Sequence, residues 1–218
     1  MFWKRKKLPF NFIQPVPLST PLEQLSFAVV DTETTGLAVH RQDRLLELGA
    51  VIVQDNQVTD HIFHQRVNPG CQIPQPIQKL TGIKPEDVHG APDAVTAIER
   101  FFQFLNRFEG AGWAGFHLSF DLTVLKQELK RKQYAFDRPP SLELVHLVRL
   151  FNPSASLKSL EELAQNWQVP CFKRHTAVGD ALTSAYLLTR LIEHCLDRGI
   201  CTWGDLIQAL EQKQEQFA

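Results

Sequence analysis

The chain is expected to be an α/β protein, a central sheet with helices packed on it, and three observations lead there. Apolar runs bounded by turn residues come first, at residues 27–30, 45–53 and 58–67. Apolar residues at helical spacing dominate after residue 94. A further short apolar run, residues 113–116, sits among those helical patterns, so strand and helix alternate in the second half.

Length and composition permit one domain, with 218 residues, 44% hydrophobic content and a formal net charge of -1. Residues 1–24, with Lys4, Arg5, Lys6, Lys7 and several prolines, read as an N-terminal extension, residues 25–200 as the domain, and residues 201–218 as a C-terminal helical tail. A near-neutral charge argues against coating long nucleic acid by charge alone, and is compatible with gripping an end. The four cysteines, Cys71, Cys171, Cys195 and Cys201, form no C-x-x-C pair and are expected to be free thiols. No apolar run reaches the roughly 18 residues needed to span a bilayer, and the expected location is cytoplasmic.

Residues 27–30 read as a central strand, and residues 45–53 and 58–67 as a hairpin turning at Asp55 and Asn56. Residues 69–92, with five prolines and three glycines, are expected to be mostly irregular with short helical turns. Helices are expected at 94–108, closed by Gly110, and at 120–129, 142–151 and 178–196. Ser159 and Glu162 have capping-box spacing ahead of another short helix.

The chemistry centres on FAVVDTETTGL, residues 27–37. Asp31 and Glu33 lie two apart on a strand and therefore face the same way, a repulsion that folding does not require. Asp121 opens a helix in SFDLTVL and Asp180 sits in the first turn of another in RHTAVGDA, each beside apolar or small residues that put it at the edge of a buried element. Carboxylates gathered in one cleft become protonated unless a cation neutralises them. An all-carboxylate oxygen set suits Mg²⁺ or Mn²⁺ rather than zinc, and two such ions suit displacement at a phosphodiester.

His175 lies five residues before Asp180, which on one helix would set the two about 140° apart. It is therefore expected on the preceding loop, with Thr176 capping the helix and the imidazole free to accept a proton from water. His61 and His64, three apart on a strand, face opposite sides and are read as structural. GAGWAG, residues 110–115, matches G-x-G-x-x-G but follows a helix and leads into a strand, the reverse of a dinucleotide site. Its glycines are expected to serve a turn and close packing.

DTETTGL, SFDLTVL and RHTAVGDA together resemble the three motifs of the DEDDh, or DnaQ-like, 3′-to-5′ exonuclease family, which includes the proofreading epsilon subunit of bacterial DNA polymerase. The resemblance runs over about residues 27–198 and includes IPQPIQKLTGIKPEDVHGAP. It implies a ribonuclease-H-like fold with a mixed central sheet. It implies metal-binding acids at Asp31, Glu33, Asp121 and Asp180, a general base at His175, and two Mg²⁺ or Mn²⁺ ions. Thr34, Thr35, Gly36 and Leu37 would line the pocket for the terminal nucleotide, Leu37 packing on the base, with Phe116, His117 and Phe120 as further substrate contacts. Phe116 and His117 stand where many relatives have His-Asn, and Glu143 stands where aspartate is common.

The function so implied is metal-dependent hydrolysis at single-stranded or frayed 3′ ends of DNA, releasing nucleoside 5′-monophosphates. The implied partners are DNA 3′ ends and a DNA polymerase or repair complex. The alternatives are a 3′-to-5′ exoribonuclease acting on tRNA ends or short oligoribonucleotides and, ranked lower, an inactive nucleic-acid-binding module, which the intact acid set disfavours.

Overall fold

The computed structural model describes residues 6, 8, 16–108, 110–152 and 159–215. Lys4, Arg5 and Lys7 of the basic N-terminal cluster lie outside the described residues. In chain order the elements are β1 (Phe27–Thr34), β2 (Leu45–Gln54), β3 (Gln57–Arg66), α1 (Gln75–Thr81), α2 (Pro85–Val88), α3 (Ala94–Leu105), β4 (Gly112–Gly115), α4 (Leu118–Arg131), β5 (Ser141–Glu143), α5 (Leu144–Phe151), α6 (Leu160–Trp167), α7 (Ala177–Leu196) and α8 (Trp203–Glu215). A 3₁₀ turn, Leu22–Gln24, precedes β1.

The five strands form one mixed sheet in the order β3-β2-β1-β4-β5. β2 is antiparallel to both β1 and β3, whereas β4 runs parallel to β1 and β5 parallel to β4. Asp55 and Asn56 both adopt positive φ, at 49° and 53°, the two-residue hairpin turn the sequence signals.

Alternation along the strands creates two cores. Ala28, Val30, Leu48, Ala50 and Ile52 pack with residues of α3 and α4, including Phe101, Leu122 and Leu125. Phe27, Val29, Val51 and Val53 turn the other way, onto Leu147, Leu163, Ala181, Leu188 and Ile192 of α5, α6 and α7. Two helical layers therefore sandwich the sheet. α1 and α2 cover a small satellite core of Leu46, Ile73, Ile83 and Val88.

The structure differs from expectation at several boundaries. β1 extends to Thr34, carrying Asp31 and Glu33 within the strand. The segment expected as one helix over residues 142–151 divides into β5 and α5, because Pro139 and Pro140 favour extended backbone and Trp113 N–H donates to the Pro140 carbonyl at 3.0 Å. α3 stops at Leu105, and α4 starts at Leu118, two residues earlier than expected. Leu22, in the stretch read as an extension, is fully buried, as is Leu206 of α8. The Ser159 and Glu162 capping box forms in both directions. All four cysteines are free thiols.

Gly115 explains the decoy glycine run. A Cβ there would lie 2.8 Å from the Val30 carbonyl oxygen on β1 and 3.3 Å from Leu118 Cβ on α4. Its role is close packing of strand and helix.

Candidate active site

β1 and β4 are parallel, so their carboxyl ends lie at the same edge of the sheet, the usual ligand position in sheets of this kind. β1 delivers Asp31 and Glu33, both half-buried, while the intervening Thr32 and the following Thr34 point to the opposite face and are buried. α4, on one face of the sheet, brings Asp121, and α7, on the other, brings Asp180; both acids are buried in the first turn of their helix. Thr32 ties β1 to α4, its hydroxyl donating to Asp121 Oδ1 at 2.6 Å.

Electrostatics records the convergence. Asp31 is held well above the ordinary carboxylate range, first by burial and then by the charges of Asp121, Asp180 and Glu33. Glu33 is pushed up to about 8, by burial and then by Asp180, Glu47 and Asp121. Burial pushes Asp121 up to about 7 against the hydrogen bond from Thr32. Asp180 is also raised by burial, opposed chiefly by the neighbouring Arg174 guanidinium.

His175 lies outside the helix, at φ 58° on the loop before α7. Thr176 is the N-cap of α7, its hydroxyl accepting Gly179 N–H at 3.2 Å, and His175 N–H donates to Asp180 Oδ2 at 3.3 Å. Among the described residues, Glu33, His175 and Asp180 present ligand atoms all within 4.8 Å of one another. Asp180 is buried with the Arg174 side chain set against its Oδ1, and oxygen donors predominate, so the residues fit a hard divalent cation and support metal-dependent chemistry.

The expected nucleotide pocket follows β1. Thr34 donates its hydroxyl to the Gly36 carbonyl at 2.7 Å, and Thr35 donates to Asp43 Oδ1 at 3.1 Å while accepting Arg44 N–H at 3.0 Å. Both hydroxyls are thus engaged within the turn, leaving Leu37, 84% exposed, as its outward apolar surface. Two arginines pin this loop to α4: Arg44 forks onto Glu128 at 2.8 and 2.9 Å, and Arg131 joins Glu128 to the carbonyls of Val39, Arg41 and Asp43. Phe120 packs partly buried against the α3/α4 core, and Phe116 against the other core. His117 holds positive φ at 60°, its ring 4.3 Å from that of Phe116.

Three supporting residues went unassigned in the sequence. Glu143 accepts N–H bonds from His117 and Ser119 at 2.8 and 3.4 Å, fixing the entry of α4 from the end of β5. Glu47, opposite Glu33 in the β1/β2 register, accepts Ala177 N–H at 2.8 Å and lies 2.7 Å from His64 Nε2. Arg174 sets its guanidinium against Asp180, and its position immediately before the HTAVGD segment was the available signal. His61 and His64 do face opposite sides, the His61 ring lying tilted at 46° to that of Phe108 with centroids 5.0 Å apart.

The family described as Exonuclease matches residues 28–188. A DNA polymerase III subunit epsilon-like protein of Rhodobacter capsulatus is 34% identical over 191 residues, covering 86% of this chain and 27% of that protein. The 3′-5′ exonuclease DinG of Bacillus subtilis is 29% identical over 167 residues, covering 77% of this chain and 18% of that protein. The chain thus spans roughly a quarter or less of the length of these curated relatives. In fold it is similar to the nuclease domain of 3′hExo, a DEDDh family member whose structure was solved bound to rAMP, with a TM-score of 0.67 at 14% identity, covering 78% of this chain and 92% of that one. Matching motifs, a mixed sheet with helices on both faces, and a match over most of its length together mean that the chain belongs to the exonuclease family, of the DEDDh, DnaQ-like 3′-to-5′ type.

Proposed function

We propose that the chain, through residues 25–200, is a metal-dependent 3′-to-5′ exonuclease that acts on single-stranded or frayed 3′ ends of DNA and releases nucleoside 5′-monophosphates. The observation that carries this reading is the convergence of Asp31, Glu33, Asp121 and Asp180, all four raised by burial, with the charges of the neighbouring acids adding to the rise at Asp31 and Glu33, beside a loop histidine. An arrangement so unfavourable when ionised is the expected form of a cation site.

The four acids hold two Mg²⁺ or Mn²⁺ ions, which when bound supply neutralisation of the charge developing on the phosphodiester. His175 accepts the proton of the attacking water, held over the cleft by the turn ahead of Thr176. Thr34, Thr35, Gly36 and Leu37 form the floor for the terminal nucleotide, Leu37 meeting the base, with Phe116, His117 and Phe120 beside the strand. No covalent enzyme intermediate is needed.

DNA is favoured because the curated relatives include a polymerase III epsilon-like protein, and a DNA polymerase or repair complex is the partner in keeping with it. The exoribonuclease reading has one observation on its side, the fold shared with a nuclease domain solved with rAMP. No helix among the described residues is long and apolar enough to cross a membrane, and we assign the protein to the cytoplasm, where free thiols stay reduced.

The test is digestion of 5′-labelled DNA and RNA oligonucleotides of matched sequence, single- and double-stranded, with Mg²⁺, Mn²⁺ or chelator. A 3′-end ladder on DNA that vanishes with chelator and in Asp180→Asn is expected. Degradation of RNA alone would reverse the substrate assignment, and cutting of closed circles would exclude an exonuclease.

A further inference from the structure

The acid cluster already carries one cation. Arg174, largely buried, sets its guanidinium against Asp180 Oδ1, and its charge opposes the upward shift of Asp31, Glu33 and Asp180 alike. Its Nε lies 3.8 Å from Oε1 of Glu161 on α6, an exposed carboxylate at the rim. Nη1 makes the close contact to Asp180, while the buried Nε has no hydrogen-bond partner, so the guanidinium is not fully committed to that carboxylate. An unused donor beside a second carboxylate gives the group an alternative partner within reach.

The surrounding backbone leaves the side chain as the movable part. Thr176 donates its hydroxyl to the Lys173 carbonyl at 2.8 Å, and Gly179 packs so closely that a Cβ there would lie 2.0 Å from the same oxygen. Residues 173–176 are therefore clamped to the start of α7 on both sides of Arg174.

We propose that Arg174 is a built-in counter-ion of the acid cluster that gives way to divalent metal, its guanidinium resting on Asp180 in the metal-free protein and turning to Glu161 in the loaded one. This rests on the assignment of Asp180 as a metal ligand. The guanidinium keeps the empty cluster from repelling itself and, by occupying the ligand, weakens apparent metal affinity, since the metal-competent arrangement is only part of the population. Arg174 is a positioning residue, acting through Asp180 and Glu161.

The experiment is calorimetric titration of the full chain with Mn²⁺ alone, without nucleic acid, alongside thermal melting in chelator. Arg174→Gln should bind Mn²⁺ about tenfold more tightly than the parent and melt lower in chelator, the loss being recovered on adding Mn²⁺. Arg174→Lys, which keeps the charge, should fall between, and provides the comparison if the glutamine variant folds poorly. Glu161→Gln should weaken Mn²⁺ binding while leaving the melt in chelator near that of the parent. If neither Arg174 variant binds Mn²⁺ more tightly while Asp180→Asn abolishes binding, this inference is overturned and the metal site stands. If binding survives Asp180→Asn, the site assignment fails and takes this inference with it.

Discussion

The Glu47 carboxylate on β2 accepts the backbone N–H of Ala177, the first residue of α7, at 2.8 Å. It thereby ties the strand beside Glu33 to the helix that delivers Asp180. Gly49, two residues on, permits the approach, since a Cβ there would lie 2.5 Å from the Ala177 carbonyl carbon. Burial works to raise Glu47, yet the bonds from His64 and Ala177 hold it below the ordinary range and keep it a charged acceptor. Glu47→Ala, leaving a buried N–H unpaired, should cost about 1–3 kcal/mol in urea unfolding and slow hydrolysis. Unchanged stability would show that the strand does not anchor the helix.

The metal-free protein should lose stability as pH rises. Folded Glu33 sits at about 8 and Asp121 at about 7, against ordinary values of 4.5 and 3.8, so the folded chain binds more protons than the unfolded one between those limits. Stability therefore declines from about pH 4 to about pH 8. Melting in chelator across this window should show the decline, and Mn²⁺ at the alkaline end should reverse it. Asp31→Asn, which removes one of the repelling charges, should melt higher than the parent at the alkaline end in chelator. A flat profile would mean that the folded acids are not held above their ordinary range.

Glu128 is 1% exposed and is the common partner of Arg44 and Arg131. Glu128→Ala leaves two guanidinium groups without their carboxylate and should cost about 3 kcal/mol. Because those arginines hold the loop that ends in Leu37, KM for an oligonucleotide should rise more than kcat falls. Equal losses in both constants would separate loop order from substrate binding.

Glu143 supplies the acceptor for the two amides that start α4 and so governs where Asp121 points. Glu143→Ala should lower kcat roughly ten- to hundredfold, matching loss of a charged hydrogen bond worth roughly 1.5–3 kcal/mol. Glu143→Asp should recover part of it. Wild-type rates in the alanine variant would remove Glu143 from the positioning of Asp121.

Much of this site was legible in the sequence because its signals are local. Strand period set Asp31 and Glu33 on one side, the loop placement of His175 followed from helix geometry, and Thr176 announced the cap of α7. The two hairpin residues with positive φ were equally plain. What stayed hidden depends on distant pairing. β5 is three residues long and its apolar spacing runs on into α5, so only its partner β4 identifies it as a strand. Glu47 meets Ala177 across 130 positions, and Glu128 meets Arg44 across 84, distances over which no periodicity speaks. Leu22 reads in sequence as part of an N-terminal extension because partners such as Leu206 lie far along the chain.

That last contact has a topological consequence. Leu22 N–H donates to the Cys201 carbonyl at 2.9 Å, Trp203 N–H to that of Thr20 at 2.9 Å, and Pro21 bridges Thr202. The segment ahead of β1 and the connection between α7 and α8 therefore run side by side, about 25 Å at strand rise from the carboxyl end of β1. This seam ties the start of the sheet to the far end of the longest helix, away from the acids. Leu22→Ala, within it, should cost about 2–5 kcal/mol in urea unfolding while leaving kcat near that of the parent.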